Sequence, residues 1–214
     1  MIAQNNFVSD RNHVARQLAD TGVWLAQRNW VPATGGNFSI RIGADQCLIS
    51  ASGRDKGQLT EDDCLHIQWQ GTELTCDGKP SAETLLHTRI FDLDDNAGAV
   101  LHTHSVSATV LGRLSAGQQI AFEGYEMQKS ISGQTSHQQT LILPVLDNDQ
   151  DIAKLAERVA NRWQSQAFSY AFLVRGHGLY AWGNDLTMAK RHLEGWEFLI
   201  ACELERLRIG ADYV

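Results

Sequence analysis

The chain has 214 residues and a mass of 23.8 kDa, a length that suits one sizeable domain with its own buried core. Hydrophobic residues make up 43% and charged residues 20%, which is ordinary for a globular protein. The net charge of -7 argues against binding to duplex nucleic acid, since a phosphate backbone is bound by a basic surface. A small phosphorylated substrate is still possible, because it needs only a few local donors.

No stretch of the sequence approaches the roughly 20 apolar residues that cross a bilayer. Residues 1–13 contain no apolar signal core, so we expect a cytoplasmic protein. The cysteines are scattered without CxxC pairs, and we expect reduced thiols rather than disulfides or metal ligands. They are Cys47, Cys64, Cys76 and Cys202.

The first half of the chain begins with apolar residues at near-helical spacing over 10–29, which predicts an amphipathic helix capped by Asp10. A glycine-rich loop follows and leads into alternating apolar residues over 38–42, a pattern typical of a strand. Further strands are predicted at 47–51 and 64–70. A polar turn at 52–57 separates them, and a turn-rich connection follows over 71–79.

The second half begins with a helix predicted from Pro80 to about Leu93, followed by a short apolar strand over 99–104. Further helices are predicted over 105–114, 150–164 and 185–208, and further strands over 141–146, 170–174 and 178–182. The strands do not alternate regularly with the helices. We therefore predict a single α/β domain over residues 1–214, a three-layer arrangement in which a mixed, mostly antiparallel sheet is flanked by helices.

Two histidines one residue apart, His102 and His104, close the apolar segment AVLHTHS. On a strand, residues i and i+2 point to the same face with their Cβ atoms roughly 7 Å apart, so both imidazoles can reach one metal ion. Such a pair also occurs without any metal, when histidines at a strand end bond to backbone or water. A catalytic metal site needs a third protein ligand and an open position.

The best candidate for the third ligand is His177, which lies between two glycines in a predicted tight turn. Flanking glycines remove bulk and let the backbone turn sharply, so that one imidazole projects. A solvated histidine in a hairpin turn would give the same pattern. By contrast, His13 and His87 on predicted helix surfaces, and His66 in an upstream strand, are interpreted as structural or solvated residues.

Three loops offer donors to an anion. The segment TGGNFS at 34–39 has consecutive backbone N–H groups with little steric cover, and residues 50–56 combine hydroxyls, a glycine and two cations. Ser81 stands at a predicted helix start, where free N–H groups favour an anion. Each segment also has an ordinary explanation, as a loop, a charged turn and a helix cap. The candidate phosphate-binding residues are Asn37, Ser52, Gly53, Lys56 and Ser81.

Two carboxylates are candidates for acid/base chemistry. Glu83 stands in the first turn of a predicted helix, where a negative charge is favourable for the helix dipole alone. Glu126 lies between aromatic and apolar neighbours, and near a metal a partly desolvated carboxyl could shuttle protons. A surface ion pair between Glu126 and Lys129 is the simpler alternative.

In chain order these elements resemble the class II aldolase/adducin family. The matching segments are 34–39, 50–53, 79–83, 102–104 and 176–178, and the resemblance spans residues 10–208. It implies a zinc ion held by His102, His104 and His177. It also implies a central sheet covered by helices, and a homotetramer with active sites between subunits. The implied substrates are phosphorylated ketoses or aldols, with the phosphate held by the three loops.

The resemblance gives the two carboxylates different meanings. Dehydratases of the family use a glutamate at the position of Glu126 as acid/base, whereas its aldolases use one at the position of Glu83. The chain has both, and we favour a dehydratase on the strength of Glu126, with Glu83 as a secondary candidate. A sugar-phosphate aldolase or 4-epimerase using Glu83, and a non-catalytic adducin-like binding domain, are alternatives. Imidazoles also suit iron, cobalt and manganese, so zinc rests on the resemblance.

Overall fold

A computed structural model of the chain describes residues 11–166 and 168–210. The helices of this part are α1 (Arg11–Ala26), α2 (Thr84–Leu93), α3 (Val106–Leu114), α4 (Ile152–Ser165) and α5 (Leu186–Ile209). The strands are β1 (Asn37–Gly43), β2 (Gln46–Ser50), β3 (Cys64–Gln70), β4 (Glu73–Cys76), β5 (Ala99–Thr103), β6 (Gln119–Phe122), β7 (Leu141–Leu146), β8 (Ala171–Val174) and β9 (Gly178–Gly183). Helix α5 is the longest, and its first turn is capped by Asp185, whose side chain accepts the Met188 N–H.

All nine strands form one sheet in the order β4-β3-β2-β1-β5-β9-β8-β7-β6. Every neighbouring pair is antiparallel except β7 and β8, which are parallel. The prediction of a mixed, mostly antiparallel sheet is therefore confirmed. Strand β5 lies at the middle of the sheet between β1 and β9, and all five of its residues are buried.

Helices cover both faces of the sheet and give two hydrophobic cores. One core holds α1, α3 and α5, with Leu18, Leu111 and Trp196 fully or almost fully buried. The other holds α2 and α4, with Ile90 and Val159 buried against the opposite face. Because side chains alternate along β5, its successive residues face different cores. The two cores confirm the predicted helix–sheet–helix layering.

The structure corrects several predicted boundaries. Residues 71–79, expected to be only a turn-rich connection, contain β4, and β6 was not foreseen. Both are edge strands that bury little, so neither shows a clear apolar pattern. Helix α2 begins at Thr84 rather than Pro80, so Ser81 lies in the preceding turn and does not cap the helix. The predicted cap Asp10 lies outside the described residues.

Two further expectations concern the whole chain. All four cysteines are free thiols, as expected. Among the residues that the structure describes, no helix combines the length and the apolar character needed to cross a membrane.

Candidate metal centre

Three histidines converge at one end of the sheet, where the neighbouring strands β5 and β9 meet the loops beside them. His102 is in β5, His104 directly follows that strand, and His177 lies in the tight turn between β8 and β9. The Nε2 atom of His102 lies 2.8 Å from Nε2 of His104 and 3.4 Å from Nε2 of His177. With one oxygen of Glu83, one ligand atom from each of the four residues lies within 4.8 Å of every other. The structure thus brings together the three histidines that the sequence singled out.

The His102 ring is held by the sheet itself. It is fully buried, it stacks on the Tyr180 ring with centroids 3.9 Å apart, and its Nδ1–H donates to the Leu179 carbonyl at 3.0 Å. This hydrogen bond fixes the proton on Nδ1 and leaves the lone pair of Nε2 facing the other two rings. That tautomer is the one a metal ion requires of an Nε2 ligand.

His104 and His177 depend on loops and turns. The backbone N–H of His104 donates to the Trp30 carbonyl at 2.7 Å, and the His177 N–H donates to the Val174 carbonyl at 3.0 Å. Gly35 leaves room for the His104 ring, because a Cβ on that glycine would lie only 2.7 Å from His104 Nδ1. The glycine-rich loop before β1 therefore has a steric role beside the candidate metal ligands.

Glu83 lies beside the histidines just before α2. One carboxylate oxygen accepts a hydrogen bond from His177 Nε2 at 2.8 Å, and the other accepts one from Asn37 Nδ2 at 2.6 Å. The Asn37 carbonyl oxygen in turn accepts from His87 Nε2 at 2.5 Å, and His87 Nδ1 pairs with Ser39 Oγ at 2.8 Å. A continuous hydrogen-bond chain therefore orients the Glu83 carboxylate.

The expectation that His87 lies on a helix surface is wrong. His87 is fully buried because it faces the sheet, where its ring bonds Asn37 and Ser39 of β1 and meets the Tyr180 ring of β9 edge-on. Burial lowers its pKa to about 4, so the ring is neutral at pH 7 and can take part in the chain described above. His13 is exposed and half-buried His66 pairs with Gln46, in agreement with their interpretation as solvated or structural residues.

The electrostatics of the cluster suit a divalent cation. Burial lowers the pKa of His102 well below its usual range and that of His104 to about 4, so both imidazoles are neutral at pH 7. Burial alone would raise the pKa of Glu83. Hydrogen bonds from His177 and Asn37 and the nearby imidazoles outweigh that effect and hold it well below its usual range. Neutral imidazoles beside an ionised carboxylate fit a bound metal ion.

A pocket of about 500 Å³ opens beside this cluster. Ser52 and Ser81 line it together with Glu83 and His177, so two of the predicted phosphate-binding residues face the same space as the candidate ligands. Gly53 follows Ser52 with a positive φ of 72° and open space around its α-carbon. The loop between β7 and α4 and the first residue of α4 also line it. They contribute Asn148, Asp149, Gln150 and Ile152, none of which was a candidate from the sequence.

Lys56 is buried beneath the loops, whereas a lysine that donates directly to a ligand would be expected at the surface. Its side chain is almost wholly buried, and its ammonium group donates to the carbonyls of Thr34 at 3.0 Å and Arg54 at 2.8 Å. Burial lowers its pKa, and the negative charges of Asp55 and Glu83 partly oppose that shift. Lys56 thus ties the glycine-rich loop to the turn after β2 and places a positive charge beneath both.

Glu126 does not join the histidine cluster within one copy of the chain. It begins a short 3₁₀ helix, Glu126–Ser130, and its side chain is 74% exposed. Its carboxylate pairs with Lys129 Nζ at 2.6 Å and with His137 Nδ1 at 3.5 Å. Within a single chain, Glu126 therefore forms the surface ion pair with Lys129 that the sequence analysis gave as the simpler alternative.

Comparisons with known proteins agree with this arrangement. The sequence model of the family described as "Class II Aldolase and Adducin N-terminal domain" matches residues 16–204, which is most of the chain. The chain therefore belongs to this family of class II aldolase-like proteins. Its resemblance to the family at the level of motifs is thereby confirmed.

The named relatives specify this further. A methylthioribulose-1-phosphate dehydratase of Yersinia enterocolitica is 50% identical over 190 residues, covering 89% of this chain and 90% of the relative. One of Serratia proteamaculans is 49% identical over 200 residues, covering 94% and 98%. Among solved structures, an L-fuculose 1-phosphate aldolase aligns with a TM-score of 0.76 at 22% identity, covering 95% of this chain and 89% of its own. The L-fuculose-1-phosphate aldolase of Thermus thermophilus gives 0.69 at 24% identity, covering 92% and 94%.

Proposed function

We propose that this chain is a hydro-lyase that converts 5-methylthioribulose-1-phosphate into 2,3-diketo-5-methylthiopentyl-1-phosphate, a step of methionine salvage, with one zinc ion per subunit. The observation that carries the proposal is the identity of 50% and 49%, over nearly the whole chain, with relatives named methylthioribulose-1-phosphate dehydratases. The aldolases that share the fold are 22% and 24% identical.

In this proposal His102, His104 and His177 hold the zinc ion through Nε2, and at His177 the ion would replace the proton that this nitrogen shares with Glu83. Support comes from the convergence of these three atoms and from the tautomer that the Leu179 carbonyl imposes on His102. Three protein ligands leave a position open for substrate, as in catalytic zinc sites. Bound zinc would supply Lewis acidity that polarises the substrate carbonyl at C2 and stabilises the negative charge developing beside it.

The reaction requires one proton to leave C3 and one hydroxyl to leave C4. A base takes the C3 proton, the C3–C4 double bond forms, and the C4 hydroxyl departs with a returned proton as water. The enol at C3 then becomes the second ketone by tautomerisation. We assign both proton transfers to Glu126, because a single carboxyl can accept the first proton and return it.

The exposure of Glu126 leads us to place it in the active site of a neighbouring copy. Its carboxylate is 74% exposed, and Met127 beside it is 38% exposed although it is a large apolar residue. A homotetramer with active sites between subunits would cover this surface and bring Glu126 to the partner's histidines. Glu83 stays beside the zinc of its own subunit as a secondary acid/base candidate.

The phosphate of the substrate is assigned to the three loops, through Asn37, Ser52, Gly53, Lys56 and Ser81. Support comes from Ser52 and Ser81, which share the pocket with Glu83 and His177. The buried charge of Lys56 lies under the loops and favours an anion above them. Asn37 is engaged by Glu83, but its Nδ2 also lies 3.5 Å from Ser81 Oγ. These groups orient the substrate rather than perform the chemistry.

One observation favours a second function. Glu83 is the carboxylate nearest the histidines in a single copy of the chain, as a sugar-phosphate aldolase or 4-epimerase with Glu83 as acid/base would require. A non-catalytic adducin-like domain is less favoured, because such a scaffold has no need of three imidazoles facing one another.

The first test is to incubate the purified protein with methylthioribulose-1-phosphate and to analyse the products by mass spectrometry and phosphorus NMR. We expect a product 18 Da lighter with the reactivity of a diketone. Cleavage between C3 and C4 would instead give dihydroxyacetone phosphate and a methylthio aldehyde, and that result would replace dehydration by the aldolase function. No reaction, with no divalent metal in the gently purified protein, would favour the binding domain.

The second test asks whether Glu126 acts across an interface. Glu126→Gln and His104→Ala chains, each expected to be inactive alone, are co-expressed with different tags, and the mixed assemblies are isolated. If histidines and Glu126 come from different subunits, about a quarter of the sites in an evenly mixed assembly carry both and become active. Complete inactivity of verified mixed assemblies would place Glu126 outside the neighbour's site.

A further inference from the structure

Helix α5 carries a buried carboxylate that the proposed chemistry does not use. Glu197 is 3% exposed, and both of its oxygens accept short hydrogen bonds. Thr103 Oγ1 donates to Oε1 at 2.6 Å, and Ser105 Oγ donates to Oε2 at 2.6 Å. Among the described residues, no basic side chain is recorded as its partner. A buried carboxylate of this kind is costly unless its hydrogen bonds serve the fold or the function.

The two residues that Glu197 binds stand on either side of His104. Thr103 is the last residue of β5, and it faces the core that contains α5, whereas His102 faces the opposite core. Ser105 is the N-cap of α3, and its Oγ also accepts the Ala108 N–H at 3.0 Å. The carboxylate therefore spans the link between strand and helix in which His104 is the middle residue.

His104 needs such support more than His102 does. His102 is fixed by pairing with strands on both sides and by the bond from its own ring to Leu179. His104 lies beyond the strand, and among the described residues its backbone forms one hydrogen bond, from its N–H to the Trp30 carbonyl. The bonds of Glu197 to the side chains on both sides of His104 anchor this segment to α5.

We propose that Glu197 is a positioning residue that holds His104 in the geometry needed to bind the metal ion, acting from the opposite face of the sheet through Thr103 and Ser105. The inference rests on the proposed function in one respect, since it requires a metal ion at the three histidines. Groups that orient metal ligands without touching the ion typically change metal affinity when they are removed.

The test compares Glu197→Met, which removes both acceptors, with Glu197→Gln, which can still accept from one hydroxyl and donate to the other. Glu194→Gln is the control, because Glu194 is on the same helix but exposed and paired with Arg28. Zinc affinity is measured by competition with a chromophoric chelator, and the cobalt-substituted proteins are examined by visible absorption. Circular dichroism and thermal unfolding establish the folded fraction of each variant.

We expect Glu197→Met to lower zinc affinity by about 10- to 100-fold and to alter the cobalt spectrum, whereas Glu197→Gln and Glu194→Gln stay close to the parent protein. A purely structural role would lower thermal stability and leave the affinity and spectrum of the folded fraction unchanged. Wild-type affinity and spectrum in folded Glu197→Met would overturn the inference.

If Glu197→Met does not fold, Thr103→Val decides the question, because it removes one of the two bonds with little change of shape. A smaller loss of zinc affinity is expected, and an unchanged affinity with an unchanged cobalt spectrum contradicts the proposal. The parent protein separates the two hypotheses. If it binds no metal at the histidines, the proposed function fails and the inference with it. If it binds zinc and forms the diketone while the variants match it, only the inference fails.

Discussion

The two candidate acid/base residues lie in opposite environments. Glu83 is 17% exposed at the end of the sheet, where Asn37 and His177 bond both of its oxygens. Glu126 is 74% exposed on a short 3₁₀ helix, and its partners among the described residues are Lys129 and His137. Glu83 is already held by hydrogen bonds in the isolated subunit, whereas Glu126 lies on the surface and is free to face a neighbouring molecule.

If both carboxylates serve the proposed reaction, a change of the acid/base residue need not disturb the histidine cluster. A carboxylate fixed by the sheet shares the environment of the metal ligands, so its properties are coupled to theirs. A carboxylate on a surface turn can be gained or lost with little effect on folding, because few buried contacts depend on it. The substitutions below test whether the two regions divide the work in this way.

The largest effect is expected from His104→Ala, which removes one of the three proposed metal ligands. Loss of the Lewis acid should lower the rate of dehydration by at least about 10³-fold, since a metal ion supplies several kcal/mol of stabilisation in the transition state. Metal analysis of the purified variant should show correspondingly less zinc. His66→Ala, at a half-buried histidine of β3 outside the cluster, is the control and should keep both zinc and activity.

Glu126→Gln should lower kcat by about 10²- to 10⁴-fold while zinc content and thermal stability stay unchanged. The side chain is exposed, so its loss disturbs little besides the proton transfers. Glu83→Gln should instead weaken zinc binding, because its carboxylate lies beside the ligands. Steady-state kinetics and metal analysis of both variants give the answer. Near-normal dehydration by Glu126→Gln would reverse the assigned roles of the two regions.

Lys56→Met should raise KM for the phosphorylated substrate by about tenfold and lower the free energy of unfolding by about 2 kcal/mol. Two carbonyls, of Thr34 and Arg54, lose a buried charged donor, and the loops lose the charge beneath them. Substrate kinetics and urea unfolding measure the two effects. Arg208→Met is the control, because Arg208 is exposed at the end of α5, away from these loops, and its ion pair with Glu205 contributes little.

The smallest effect on catalysis is expected from Glu197→Gln, whose signature is the pH dependence of stability. Burial raises the pKa of Glu197 to about 7 despite the two hydroxyl donors. A raised pKa favours the protonated form in the folded state. The stabilisation of the fold by protonated Glu197 is therefore complete below pH 4.5 and is lost as pH rises through 7. Between pH 5 and pH 8 the variant should therefore gain about 1–3 kcal/mol relative to the parent protein. Urea unfolding at both pH values measures it, and parallel curves would contradict the assignment.

Much of the fold could be predicted because its central strands are short apolar runs and its helices have clear caps. The boundaries of β3 agreed with the structure, and the prediction for β5 extended one residue too far, to His104. Strands β4 and β6 were not predicted, because edge strands bury few side chains and show no clear apolar pattern. The start of α2 was placed too early, because the turn that contains Ser81 resembles a helix cap in sequence. The parallel pairing of β7 and β8 depends on contacts distant in sequence.

The convergence of the three histidines could be predicted because local sequence patterns determine the direction of their side chains. The strand period places His102 and His104 near each other, and the glycines around His177 indicate a projecting side chain. Burial was harder to foresee, because periodicity marks which face of a helix is apolar and not how many neighbours will cover it. His87 was misjudged for that reason. Glu197 gave no signal, since a glutamate in a helix of mixed character is usually solvated.

Helix α5 contacts both regions compared above. At Glu197 it bonds the residues around a metal-ligand candidate, and two residues earlier Gly195 packs directly against Ser130 of the 3₁₀ helix that carries Glu126. Arg191 on the same helix also donates to the Lys129 carbonyl at 3.2 Å. If Glu126 serves the adjacent subunit, a small shift of this one helix would disturb two active centres at once, one in each of two chains. An altered chain would then impair the active centre that it shares with an unaltered neighbour.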